Sequence, residues 1–217
     1  MMLQLYGHPF SSYTWKAQIA LHANGTEHRF RMVDPGHPDN SSFVAMAHPG
    51  GKFPVLQDGE KVVVEATSII EYLAVHHPGD ASLIPDDPAE ALRARMIDRV
   101  FDNYVMANMQ RVVAAYIANA SDPDPDEVFA GRAGLHKAYR WLEDWLGRVG
   151  LPPHVSLVTC AAAPSLFYAD WVEPIPDEYP QLQALRAELL ALEPVVLCVN
   201  AARPYRKLFP LGAPDRD

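Results

Sequence analysis

Apolar positions recur along this chain with two different periods, and the change from one to the other falls near residue 78. Ahead of that point the runs are short. LQLYG at 3–7 reads as a strand, Ser11 to Asn24 as a helix closed by Gly25, and HRFRMV at 28–33 as a second strand. A strand, helix, strand order predicts a parallel pair joined by a right-handed crossover. FPVLQ then meets KVVV across Asp58-Gly59, a strong two-residue hairpin signal that extends the same sheet, and a further helix opens beside Glu65. Past HHPGDASLIPDDP, which carries Pro78, Gly79, Pro85 and Pro88, everything reads as helix. Leu92, Met96, Val100, Tyr104, Val105, Met109, Val112, Val113 and Tyr116 keep helical spacing, and Ala138, Trp141, Leu142, Trp145, Leu146 and Val149 do so again. Residues 157–172 are apolar nearly all round, as expected of a helix at the centre of a bundle, with a kink expected at Pro164. The pattern therefore predicts an α/β unit at 1–78, a linker at 79–88 and an all-α unit at 89–217. Loose segments are expected at 34–42, at 121–126 and over the last few residues.

Composition narrows the function. At 217 residues and 49% hydrophobic content the chain can bury a substantial core. No apolar run reaches the roughly 18 to 20 residues a membrane helix needs, and MMLQLYGHPF lacks the features of a signal peptide, so the expected setting is the cytoplasm. Eighteen basic residues against 27 acidic ones give a formal charge of −9, which makes nucleic acid an unfavourable partner. Cys160 and Cys198 stand far apart within apolar runs and are expected to be buried, reduced thiols. The nine histidines show no zinc-type spacing, so no metal is expected.

Two adjoining segments, GKFPVL at 51–56 and EATSIIEYL at 65–73, suggest a clamp for a small peptide. Pro54 has no amide hydrogen and belongs at a strand start, where a cis bond would turn the Phe53 backbone outward to pair with another extended chain. The first turn of the helix after Glu65, residues 66–68, offers unpaired N–H groups to a carboxylate, while Glu65 can accept from an ammonium. An α-amino acid head group carries both charges.

These segments, with LYGHPFSSYTWKAQIAL at 5–21, LVTCAAAPSLFYADWV at 157–172 and ARPYRKLFP at 202–210, resemble the cytosolic glutathione S-transferase family over nearly the whole chain. The resemblance implies a thioredoxin-like N-terminal domain, an all-helical C-terminal domain, glutathione as cosubstrate and a homodimer. It assigns the catalytic role to Ser11, with Ser12 as fallback and Tyr6 and Tyr13 as competitors. Local chemistry is compatible with this: a serine at the start of a helix donates a hydrogen bond where the helix dipole also favours an anion. Lowering a thiol pKa from ~8.5 by about two units supplies roughly 2.7 kcal/mol. The resemblance further assigns backbone pairing to Phe53 beside Pro54, and the γ-glutamyl head group to Glu65 and Ala66. Ala66 departs from the family's usual serine, which costs about 0.5 to 1.5 kcal/mol in hydrogen bonding; Thr67 is a candidate replacement, and Lys52 a candidate partner for the glycine carboxylate. At 156–159, SLVT has Thr159 where the family usually has aspartate, which weakens a capping box.

A small hydrophobic electrophile is expected between the domains, against Phe10 and against Tyr104, Asn108 and Arg111 on the long helix, Arg111 because a buried guanidinium needs either an acidic partner or an anionic ligand. The expected reaction is transfer of the glutathione thiolate to that electrophile. SSYTWKAQIAL also resembles the SSCSWRVRIAL-like segment of zeta-type members that isomerise maleylacetoacetate, with Tyr13 in place of the cysteine, so a glutathione-dependent isomerase is the second reading. A non-catalytic glutathione-binding protein is the third.

Overall fold

The computed structural model describes residues 2–151 and 154–217. Strand β1 (Leu3–Gly7), helix α1 (Ser12–Ala23) and strand β2 (His28–Met32) form the expected crossover, with β1 and β2 parallel. Strands β3 (Val55–Asp58) and β4 (Lys61–Val64) form the hairpin, Gly59 supplying the positive φ that its turn requires. The sheet order is β2-β1-β3-β4, β3 running antiparallel to both neighbours, and helix α3 (Ala66–His76) follows. Leu3 and Leu5 point from β1 into the core that Trp15 and Ile19 of α1 complete. This is a thioredoxin-like domain.

One expectation is corrected in this half. Residues 38–42 of the segment expected to be loose belong to helix α2 (Pro38–Ala47), which has proline in its first turn beside Asp39. Val44 is the only buried residue on it, so the helix has no apolar stripe for a periodicity to detect.

The second half is helical: α4 (Pro88–Val100), α5 (Ala107–Ala118), α6 (Pro125–Val149), α7 (Leu157–Val172), α8 (Pro180–Ala191) and α9 (Glu193–Ala202), ending in a 3₁₀ turn at Arg203–Leu208. Asp87 and Asp124 cap α4 and α6 by accepting from the amides two and three residues on. The second segment expected to be loose therefore ends inside the first turn of α6. Helix α7 lies buried along its whole length and continues without a break through Pro164. The Thr159 hydroxyl accepts from the Ser156 amide, so a threonine at this place still closes that half of the capping box. Both cysteines are free and buried, and burial pushes the Cys160 thiol up to about 12.

Between α4 and α5 the chain makes a π-helical segment, Phe101–Met106. Its wider turn shifts the helical phase, so a single stripe drawn from Leu92 to Tyr116 fails. The buried face runs instead through Ala91, Ala94, Ile97, Phe101, Val105, Met109 and Val112, while Leu92, Met96 and Tyr104 are exposed. Helices α5 and α6 approach closely: a Cβ on Gly134 would collide with the Asn108 side chain.

The two halves are joined by an ionic cluster removed from water. Lys16 of α1 sets its ammonium 2.5 Å from Asp98 Oδ1 and 2.7 Å from Asp102 Oδ2, and donates to Thr67 Oγ1 of α3 at 2.8 Å. The Thr67 hydroxyl extends the network, donating to Asp98 Oδ2 at 3.0 Å. Lys16 and Asp98 are 1% and 0% exposed. Removing one member leaves buried charge without a partner, so Lys16→Met is expected to cost roughly 3 to 5 kcal/mol. Glu71→Ala, which breaks the exposed pair with Arg95 at 2.8 Å, is expected to cost no more than about 1 kcal/mol. Urea unfolding of the two variants checks the contrast; equal destabilisation would count against the cluster as the joint.

Candidate active site

A cleft of about 230 Å³ opens where the thioredoxin-like domain meets the start of the helical one. On the sheet side its wall is formed by His48, Lys52, Phe53, Pro54, Glu65 and Ala66, with Tyr13 of α1. Arg99, Asp102 and Asn103 close it from the helical side. Four larger hollows of about 300 to 570 Å³ lie elsewhere among the described residues and contain no residue of the clamp.

The clamp's local geometry follows from its sequence. The Phe53–Pro54 bond is cis, and β3 begins one residue later at Val55. Phe53 lies outside the sheet pairings, and its backbone makes no other hydrogen bond to protein among the described residues. Glu65 has φ 69°, the one non-glycine residue described with a positive φ, a conformation that costs about 1 to 3 kcal/mol and concentrates at functional sites. Its side chain is exposed, with Oε1 3.3 Å from His48 Nε2. The amides of residues 66–68 open helix α3 with no side-chain cap. Backbone donors, a carboxylate and an unpaired extended segment thus surround one small space.

Ser11 is the N-cap of α1. Its Oγ accepts from the Thr14 amide at 3.2 Å, which leaves its own O–H free to donate. Two hydrogen bonds from the interior hold the preceding loop: the Trp15 indole donates to the Pro9 carbonyl at 2.6 Å, and the Tyr168 hydroxyl donates to the Phe10 carbonyl at 3.0 Å. The Phe10 ring is half-buried against Tyr168 and Trp171. The His8 ring packs edge-on to Tyr205 of the C-terminal turn.

Other candidates fall differently. Ser12 is buried at the first position of α1 and is not part of the cleft wall. Tyr6 donates its hydroxyl to Gln57 Oε1 at 3.1 Å and stacks on Phe43, which commits it to the α2 side of the sheet. Tyr13 does face the cleft, and burial, reinforced by Asp102, pushes its phenol up to about 12, so it is protonated at neutral pH. Thr67 points away from the clamp into the ionic cluster. The trio on the long helix does not converge on the cleft: Tyr104 is exposed, Asn108 donates to the Tyr104 carbonyl at 2.7 Å and packs on Gly134, and Arg111 pairs with Glu127 at the surface. Of the two alternatives for Arg111, the structure supplies the acidic partner, Glu127 of α6, and the expected burial is corrected, since the pair is exposed. The cleft residues not anticipated are His48, Arg99, Asp102 and Asn103. Arg99, Asp102 and Asn103 sit at helical spacing and could have been found only by placing the π segment.

No three His, Cys, Asp or Glu side chains converge to hold a metal among the described residues. No described helix is long and apolar enough to cross a membrane.

A thioredoxin-like sheet with a cis-proline clamp, followed by a helical domain that closes over it, is the architecture of the glutathione transferases. The chain is similar to members of the cytosolic glutathione S-transferase family. Residues 5–81 match the family model described as glutathione S-transferase, N-terminal domain. A probable maleylacetoacetate isomerase of Vibrio cholerae is 29% identical over 201 residues, spanning 88% of this chain and 93% of that one. The maleylacetoacetate isomerase of Rattus norvegicus is 23% identical over 192 residues, spanning 87% and 88%. Among solved structures, a glutathione S-transferase of Methylobacterium radiotolerans in complex with glutathione sulfonate superposes with TM-score 0.77 at 22% identity, covering 92% of this chain and 95% of that one. Glutathione transferase F7 of Populus trichocarpa gives 0.78 at 19%, covering 92% and 99%.

Because Arg111 and Glu127 form an exposed pair, Arg111→Ala is expected to leave both stability and glutathione affinity essentially unchanged. Thermal unfolding and calorimetric titration of the variant check both.

Proposed function

We propose that this protein is a serine-type glutathione transferase, with residues 1–78 holding glutathione and residues 89–217 supplying the electrophile's side of the site. The observation that carries the reading is the cleft walled by Phe53, Pro54, Glu65 and Ala66, which Tyr13 of α1 also lines; Ser11, the N-cap of the same helix, is outside that wall and has a hydroxyl free to donate. Phe53 would pair with the tripeptide backbone. The α3 amides from Ala66 onward would take the γ-glutamyl carboxylate and Glu65 the ammonium, while Lys52, in the cleft wall, would neutralise the glycine carboxylate. Ser11 would donate to the thiolate, with the N-terminus of α1 behind it, and would not act as a nucleophile. Bound thiolate supplies the nucleophile for an electrophilic carbon of a small hydrophobic substrate. That substrate would lie against Phe10, next to Tyr205 and Asn103 rather than Asn108 and Arg111.

A second reading is favoured by the Vibrio cholerae relative, whose name is that of an isomerase and which aligns over most of both chains. In it the same thiolate would add to a cis double bond and leave again, so glutathione would be regenerated.

The reading includes a homodimer. Leu92 and Met96 on α4 and Val75 on α3 expose apolar side chains on either side of the Arg95–Glu71 pair, a face suited to a second copy. It also includes a reducing, cytoplasmic setting, supported by the free Cys160 and Cys198.

Thiolate absorbance of bound glutathione, titrated against pH, tests the assignment. A thiol pKa well below ~8.5 in the wild type, returning toward that value in Ser11→Ala, is expected; binding with an unshifted thiol would leave a non-catalytic binding protein. Incubation with maleylacetoacetate separates the two reactions, since isomerisation leaves glutathione unconsumed. Sedimentation equilibrium of Leu92→Arg is expected to show monomer where the wild type shows dimer.

A further inference from the structure

Ala66 lacks the hydroxyl that the family's usual serine places at the mouth of the clamp, and the structure sets a guanidinium beside that position. Arg99 shares the cleft wall with Glu65 and Ala66 although it belongs to the other domain. Its plane is fixed from one side. Nε donates to Asp98 Oδ2 at 3.0 Å, and Nη2 bonds Asp98, Thr67 Oγ1 and Asp102 Oδ2. Thr67 is the residue after Ala66, so this anchoring holds the guanidinium against the first turn of α3. Nη1, with two N–H donors, has no protein acceptor among the described residues, and the side chain is 51% exposed. A guanidinium held through Nε and Nη2 leaves the two N–H donors of Nη1 to meet an incoming carboxylate.

The surrounding charge agrees. Glu65, Asp98 and Asp102 outnumber Lys16 and Arg99 around this end of the cleft, which favours the ammonium of an α-amino acid head group and leaves its carboxylate in need of a cation. Lys16 cannot serve, because it is buried beneath Asp98 and Asp102. Lys52 stands at the opposite side of the clamp, next to Phe53.

We infer that Arg99 binds the γ-glutamyl α-carboxylate of glutathione, so that the helical domain supplies a bond that the alanine side chain at position 66 cannot make. The inference rests on the glutathione reading above. It makes Arg99 a binding residue, positioned by the Asp98 fork and by Thr67.

The test is a calorimetric cycle with two ligands: glutathione, and the analogue in which 4-aminobutyrate replaces the γ-glutamyl residue and so removes only that carboxylate. Wild type is expected to bind the analogue roughly tenfold to a hundredfold more weakly than glutathione, the range for a charge-assisted pair. Arg99→Met is expected to bind glutathione about as weakly as wild type binds the analogue, and to weaken little further when given the analogue. Equal weakening for both ligands, or none for glutathione, would overturn the inference and leave Arg99 a structural partner of Asp98. Arg99→Lys keeps the charge that Asp98 and Asp102 face and serves if the methionine variant is unfolded; intermediate glutathione affinity with reduced discrimination is expected, and wild-type discrimination would overturn the inference. Wild type that binds neither ligand would instead overturn the glutathione reading itself.

Discussion

The interaction on which this molecule's geometry turns is the burial of one ammonium between two carboxylates where the domains meet. Lys16 comes from α1 and Asp98 with Asp102 from the continuous stretch of α4 and the π segment, which no short length of chain connects, and Thr67 adds a third element. Apolar packing between α1 and α7 would tolerate some sliding, since it is non-directional. An ion pair at 2.5 Å in a dry environment does not: a small displacement leaves charges unpaired at a cost of several kcal/mol. Burial raises the Asp102 carboxyl above its ordinary range, and Lys16 pulls it back toward ionisation. The cluster thereby holds α4 against both α1 and α3, and the cleft exists because those three helices keep that relation.

The division of labour in the cleft follows. The thioredoxin-like half supplies rigid backbone features: an N-cap, an unpaired segment before β3 and a strained residue before α3. The helical half supplies side chains, which is where substrates can be discriminated without disturbing the clamp. That relatives with isomerase and transferase names share this architecture is consistent with such a division.

Much of this was legible in the chain itself because it depends on local rules. Alternation in LQLYG, the Asp58-Gly59 turn, serine ahead of α1 and proline ahead of β3 each have a short-range cause, and the clamp is built from two such stretches. What was illegible depends on long-range partners. Nothing in the sequence singles out Lys16, whose partners Asp98 and Asp102 are brought to it by α4 and the π segment. Thr67 reads as a spare hydroxyl near the clamp, yet its rotamer is claimed by the cluster. Arg111 reads as a cation in want of an anion until α6 brings Glu127. The π segment displaced the face of the long helix, so the residues at its start that line the cleft are Arg99, Asp102 and Asn103. Helix α2 escaped because it buries one side chain.

The loop ahead of Ser11 is held through its carbonyls by two aromatic side chains, Trp15 and Tyr168, that lie wholly or almost wholly within the core. Phe167 packs on both rings. Repacking at α7 would therefore move the loop ahead of Ser11 without any change to a residue of the cleft wall. Sequence drift in the most hidden helix becomes a way to retune specificity, and relatives that agree at every cleft position can still diverge in what they accept.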